Sequence, residues 1–187
     1  MEYIEERGPW KTIKKEPVYE SPWIKLEHHD VIHPGNEKGI YSLVHFQNRA
    51  MGVIPLDKDL NTWIVGQHRY PINRYSWEMP EGGSPFDEDE LEGVQRELQE
   101  ETGIVAHSWT RIMEMHLSNS STDEVGIIYV AQDLTFQDSN PDSDEELHVK
   151  KIPFQELYEM VKNGEVTDSM TVAAVLRVKL MMVEGEL

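Results

Sequence analysis

The chain has 187 residues, 39% of them hydrophobic, which is enough for one substantial core but too little for two ordinary domains, although a small N-terminal subdomain fits. Its 35 acidic against 17 basic residues give a formal charge of −18, which repels polyanions and argues against nucleic acid as a partner. With no cysteine, no apolar run near the roughly 20 residues that span a bilayer, and a charged start (MEYIEERGPW), the sequence excludes disulfides and thiolate metal sites and predicts a soluble, cytoplasmic protein that does not enter membranes.

Residues 1 to about 17 are polar without periodicity and read as a loose arm. Trp23 to His33 and Ile40 to Phe46 alternate loosely around the turn-forming segment Pro34 to Gly39, a β-hairpin pattern, and β-rich runs follow at Met51 to Pro55 and Thr62 to Gln67. After Pro80, Gly82-Gly83-Ser84-Pro85 punctuates the chain. Asp87 to Thr102 then carries Leu91, Val94 and Leu98 at helical spacing and stops at Gly103, predicting one helix. Strands are expected at Ile104 to His116, Val125 to Phe136 and Leu147 to Ile152, with helices over Phe154 to Lys162 and Ser169 to Val183. Trp63 and Trp77 are expected in the core. The adjacent His28 and His29 place one ring on each strand face and suggest no metal site. The order is mixed α/β (α+β), with boundaries expected at 1–48 for an N-terminal arm and small β subdomain and 49–187 for the main domain.

The helix carries the chemistry. Glu97 and Glu101 stand one turn apart with Glu100 at the intermediate i+3 position, so three carboxylates crowd one face beside the apolar stripe. Like charges at this spacing cost an isolated helix roughly 0.2–0.5 kcal/mol per pair and tend to raise carboxyl pKa values, so cations between them would help. Hard oxygen ligands select Mg²⁺, Mn²⁺ or Ca²⁺. Taken alone, a trio of glutamates is also consistent with a surface helix facing water. The whole segment is more specific: Gly82, Glu88 six positions on, then Arg96-Glu97-Leu98-Gln99-Glu100-Glu101-Thr102-Gly103-Ile104 match G-x5-E-x7-R-E-U-x-E-E-x-G-U at every specified position, U being a bulky apolar residue.

This segment resembles the Nudix box, the signature of the Nudix hydrolase family. The resemblance implies an α/β/α sandwich with a mixed sheet and a loop–helix–loop that holds Mg²⁺, or Mn²⁺, in order to hydrolyse a pyrophosphate linkage. Glu97 and Glu101 correspond to the main metal ligands, Glu100 to a further ligand or orienting group, and the Glu81 carbonyl to a backbone ligand. Glu88 and Arg96 correspond to supporting positions, and Gly82 and Gly103 to turns that a Cβ would hinder.

Outside the box, Gln67-His68-Arg69-Tyr70, Trp77-Glu78-Met79-Pro80-Glu81-Gly82 and Lys151-Ile152-Pro153-Phe154 resemble the ADP-ribose and nucleotide-sugar pyrophosphatase branch. That likeness implies a homodimer formed through the N-terminal strands, a small nucleotide-derived substrate, Arg69 on a phosphate or sugar, and Trp23 stacked on the base. It draws the water-activating base from the acidic loop Asp138 to Glu146, with Glu145 favoured over Glu146 and Glu124 as a substrate contact; Ser143 stands where a glutamate is common in that loop. Read on the residues alone, Arg69 also fits a surface ion pair and Trp23 a core position. A nucleotide-sensing module without turnover, or a domain merely stabilised by Ca²⁺, are the other functional classes compatible with the composition.

Overall fold

A computed structural model describes residues 4–137 and 147–187. Two compact units emerge, Met1–Asn48 with His116–Glu124, and Arg49–Met115 with Val125–Leu187.

The first unit is built on a four-stranded sheet of β1 (Glu5–Arg7), β2 (Trp10–Glu20), β3 (Ile24–Ile32) and β4 (Lys38–Phe46), antiparallel in chain order. The expected loose arm is therefore largely strand. Its alternation is hidden by two register shifts in the β2–β3 ladder, at Thr12/Lys14 and at Pro17/Tyr19, where irregular pairing tolerates a proline. The hairpin turn closes by the His33 N–H donating to the Glu37 carbonyl at 3.0 Å, with Asn36 at φ 60°.

Segment His116–Glu124 joins this unit through backbone bonds that a sequence pattern does not reveal. Val44 N–H donates to the Ser121 carbonyl at 2.9 Å and Asp123 N–H to the Val44 carbonyl at 3.3 Å. The Asp123 carboxylate accepts from Phe46 N–H at 3.0 Å and sits 2.5 Å from His45 Nδ1.

The second unit holds β5 (Asn48–Pro55), β6 (Asn61–Arg69), β7 (Arg74–Glu78), β8 (Glu81–Pro85), α1 (Glu90–Thr102), β9 (Ile104–His116), β10 (Val125–Phe136), β11 (His148–Pro153), α2 (Phe154–Lys162) and α3 (Ser169–Glu184). One sheet has the order β8-β5-β10-β9 and another β11-β6-β7. The first is mixed: β5 and β10 are parallel, with Met51 opposite Ile127 and Val53 opposite Tyr129. β9 and β10 run antiparallel, because Gln137 N–H, past the end of β10, donates to the Gly103 carbonyl at the start of β9.

Strand alternation sorts the two faces of that sheet. Met51, Val53, Ile127, Tyr129 and Ala131 pack with Val94 and Leu98 of α1 in one buried cluster that includes Trp63. On the opposite face Gly52 and Gly126 lie under Met170 of α3; a Cβ on Gly52 would come 2.0 Å from Met79 Cε and one on Gly126 3.0 Å from Met170 Sδ. Helix, sheet and helix make the expected three layers. Burying Leu98 completely contributes about 1.5–3 kcal/mol and fixes which side of α1 faces inward.

Helix α1 starts at Glu90, later than the pattern suggests, because Asp89 caps it: its carboxylate accepts from Leu91 N–H at 2.9 Å and Glu92 N–H at 3.2 Å. Gly103 closes it at φ 69°, its N–H donating to the Gln99 carbonyl. The glycine-rich run after Pro80 is strand β8 rather than a turn, paired at the sheet edge beside β5. Trp77 is only partly buried, set edge-on to Tyr75 with ring centroids 5.5 Å apart.

Candidate active site

With Val94 and Leu98 turned into the core, the helical period brings Glu97 and Glu101 onto the flank of α1 that faces β8. Glu101 is buried, and its Oε2 accepts from the Glu81 backbone N–H at 3.0 Å. Glu97 lies against the next residue, so closely that a Cβ on Gly82 would fall 2.1 Å from its Oε2. The two carboxylates thus flank the backbone at Glu81 and Gly82. Gly82 serves this approach rather than the turn expected of it, since it lies inside β8.

Arg96 organises the remaining charges. Its Nη1 donates to Glu97 at 2.8 Å and Glu100 at 2.9 Å, its Nε and Nη2 to Glu88 at 3.2 and 3.1 Å, and its Nη2 to the Gly83 carbonyl at 3.1 Å. One guanidinium therefore ties the loop before α1 to two carboxylates on the helix, a task for a planar fork that lysine could not copy. The hydrogen bonds from Arg96 hold the Glu88 carboxyl below its ordinary range.

A lowered folded-state value means that the pairing stabilises the protein fully above the ordinary carboxylate range and is lost as pH falls through the lowered value. Glu88→Gln is expected to reduce stability at pH 7 by about 1 kcal/mol, a modest figure because the pair is partly solvated, and to flatten the acid limb of stability. Urea unfolding at neutral and acid pH measures both; a variant parallel to the parent at every pH contradicts this.

A second group of carboxylates lies behind the first. Glu78 at the end of β7, Glu81 at the start of β8 and Asp168, the N-cap of α3, each bring an oxygen within 4.8 Å of the others. Arg69 is paired here: its Nε donates to both Glu78 oxygens at 3.1 and 3.0 Å, and its Nη2 to Glu78 Oε2 at 2.6 Å and Glu81 Oε1 at 3.3 Å. Burial above all, then the charges of Asp168 and Glu78, pushes the Glu81 carboxyl well above its ordinary value, with Arg69 opposing. The donors are all hard oxygens, several of them buried, and they fit Mg²⁺ or Mn²⁺ by chemistry.

The box residues Gly82, Glu88, Arg96, Glu97, Glu100 and Glu101 thus come together with Glu81 and Arg69, while Gly103 closes the helix. Arg69 takes up the ion-pair alternative left open by its sequence context. Trp23 and Glu124 belong to the first unit; Trp23 is 71% exposed in the turn between β2 and β3, not in a core. Glu145 and Glu146 lie outside the described residues. The sequence alone does not mark Glu78 or Asp168 as site residues. Glu78 sits in the Trp77–Gly82 run without any spacing that marks it, and Asp168 is 87 positions from Glu81, brought near by packing of α3 on the sheet.

A model of the NUDIX domain matches residues 46–173, and a model of the nucleoside diphosphate sugar hydrolase N-terminal domain matches residues 10–44. The chain is 28% identical over 172 residues to an ADP-ribose pyrophosphatase of Bacillus subtilis, covering 91% of this chain and 92% of that one. It is also 28% identical over 178 residues to an ADP-ribose pyrophosphatase of Mycobacterium tuberculosis, covering 90% and 83%. A crystal structure of an ADP compounds hydrolase superposes with a TM-score of 0.85 at 19% identity, over 98% of this chain and 100% of that one, a likeness of fold.

Proposed function

The chain belongs to the Nudix hydrolase family, and on that premise we propose that it uses Mg²⁺ or Mn²⁺ to hydrolyse the pyrophosphate bond of ADP-ribose or a nucleotide sugar. The products are a nucleoside monophosphate and a sugar phosphate. The observation that carries this reading is the clasp of the Glu81–Gly82 backbone between the Glu97 and Glu101 carboxylates, which gathers hard donors in one partly buried place.

In this reading Glu97, Glu101, Glu100 and the Glu81 carbonyl hold the cation. When bound, the cation neutralises phosphate oxygens and makes a water more acidic. Arg96 keeps Glu97 and Glu100 from splaying apart, and Glu101 keeps the Glu81 peptide in place. Hydrolysis adds one water across the P–O–P linkage: its oxygen bonds to one phosphorus, a bridging P–O bond breaks, and its proton passes to a carboxylate, assigned to Glu145 or, failing that, Glu146. Arg69 turns from Glu78 and Glu81 towards a substrate phosphate or sugar, while Trp23 stacks on the base and Glu124 contacts substrate.

A homodimer through the first unit is part of the same reading. Val18, Tyr19, Trp23 and Ile40 are exposed apolar side chains there, and residues 10–44 match the nucleotide-sugar hydrolase N-terminal domain. A cytoplasmic location suits a chain without cysteine.

The test is a panel of ADP-ribose, UDP-glucose and GDP-mannose with Mg²⁺, scored for newly released phosphate monoesters by a coupled phosphatase. ADP-ribose should yield AMP and ribose 5-phosphate. Binding of the whole panel without product would make the protein a sensor and defeat the proposal. Sedimentation at micromolar concentration should show a dimer.

A further inference from the structure

Glu78, Glu81 and Asp168 stand on three different elements, yet one oxygen of each lies within 4.8 Å of the others. Two oxygens on opposite sides of a divalent cation stand about 4.2 Å apart for Mg²⁺ and about 4.8 Å for Ca²⁺, so the spacing suits an ion. Charge is compatible: with all three carboxylates ionised, the single guanidinium of Arg69 leaves two negative charges, the complement of one divalent cation.

A separate observation points the same way. Oε2 of Glu81 has less than 1 Å² of accessible surface and no hydrogen-bond partner, although the Arg69 guanidinium reaches the other oxygen of the same carboxylate. A buried carboxylate oxygen without a donor is costly unless something binds it. The neighbouring carboxylates can supply no proton while ionised. Asp168 is held in position by its own capping bond, its Oδ2 accepting from Thr171 N–H at 2.7 Å. Glu78 is 4% exposed and oriented by Arg69, which donates twice to Oε2 and once to Oε1, so Oε1 retains a further lone pair.

We propose that Glu78, Glu81 and Asp168 form a divalent-cation site of their own, distinct from the one assigned to Glu97, Glu100 and Glu101. The Glu81 side chain points into it, while the Glu81 backbone serves the helix glutamates. Because the two sets meet at one residue, an ion in this site offsets the charge that Glu81 presents to Glu101 and frees Arg69 to leave its carboxylates for substrate.

The experiment is a Mn²⁺ titration of the full-length metal-free protein, reading free Mn²⁺ by electron paramagnetic resonance, alongside Mn²⁺-dependent thermal unfolding. Glu81→Gln and Asp168→Asn change charge with little change of shape, and asparagine caps α3 as well as aspartate. Each is expected to lose one equivalent of Mn²⁺, or weaken it at least tenfold, and to lose part of the Mn²⁺-induced rise in Tm. Glu97→Gln should remove a different equivalent, and the double variant Glu81→Gln/Glu97→Gln both. Parental stoichiometry and affinity in both Glu81→Gln and Asp168→Asn would overturn the site. So would a parent whose titration is fully explained by Glu97→Gln, because the carboxylates would then be sharing protons instead. If Glu97→Gln leaves the titration unchanged while Glu81→Gln alters it, the assignment to the helix glutamates fails and this one stands.

Discussion

Glu97→Gln and Glu101→Gln are each expected to lower turnover of ADP-ribose by about 10²–10³-fold, the scale of removing one preorganised charge from a reacting phosphate group. Glutamine keeps the volume of glutamate and leaves an oxygen that can accept the 3.0 Å bond from the Glu81 N–H, so the backbone clasp survives in the second variant. What disappears is a negative charge beside other carboxylates. Stability should therefore hold or improve: Glu101 is 5% exposed, and a buried charge without its cation is costly. Steady-state kcat together with thermal unfolding separates the two effects. Near-parental kcat in both variants would remove these residues from the chemistry, and collapse of the fold in both would make them structural.

Gly82→Ala is the sharper steric test, and its expected effect on turnover is about hundredfold, typical of a displacement near 1 Å in a reacting site. The added methyl would lie 2.1 Å from Glu97 Oε2, 2.2 Å from Cδ and 2.7 Å from Oε1. Those atoms form the far end of a flexible side chain, so the clash is relieved by moving the carboxylate rather than the backbone. Folding should lose little, while Glu97 is driven from Gly82 and its bond to Arg96 is strained. Unfolding in urea within about 1 kcal/mol of the parent, with Mn²⁺ affinity and kcat both reduced, is the expected pattern. Parental kcat would mean that Glu97 need not lie against the Gly82 backbone.

Much of this arrangement was legible in the residues. The spacing of Leu91, Val94 and Leu98 marks α1, and the carboxylate positions follow from the same period, although only Val94 and Leu98 of the three are buried while Leu91 is exposed. The helix expected over Phe154–Lys162 has those bounds in the structure, with Pro153 as its N-cap. Strand β2 was not legible, because its register shifts break the two-residue alternation and charged side chains mask the rest. The Glu78–Glu81–Asp168 group was illegible for another reason: no local rule links residue 81 to residue 168, and only the sheet and α3 packed together bring them near. The sequence assigns Gly82 to a turn, whereas in the structure it lies within β8 and the group that occupies the space beside it is the Glu97 carboxylate of α1.

Removal of divalent ions tests the central claim most directly. Protein dialysed against EDTA and assayed with ADP-ribose in metal-free buffer should release no AMP above background, and added Mg²⁺ should restore AMP and ribose 5-phosphate in equal amounts. Undiminished release of AMP with every divalent ion chelated would contradict the account, whatever the variants at 97 and 101 do.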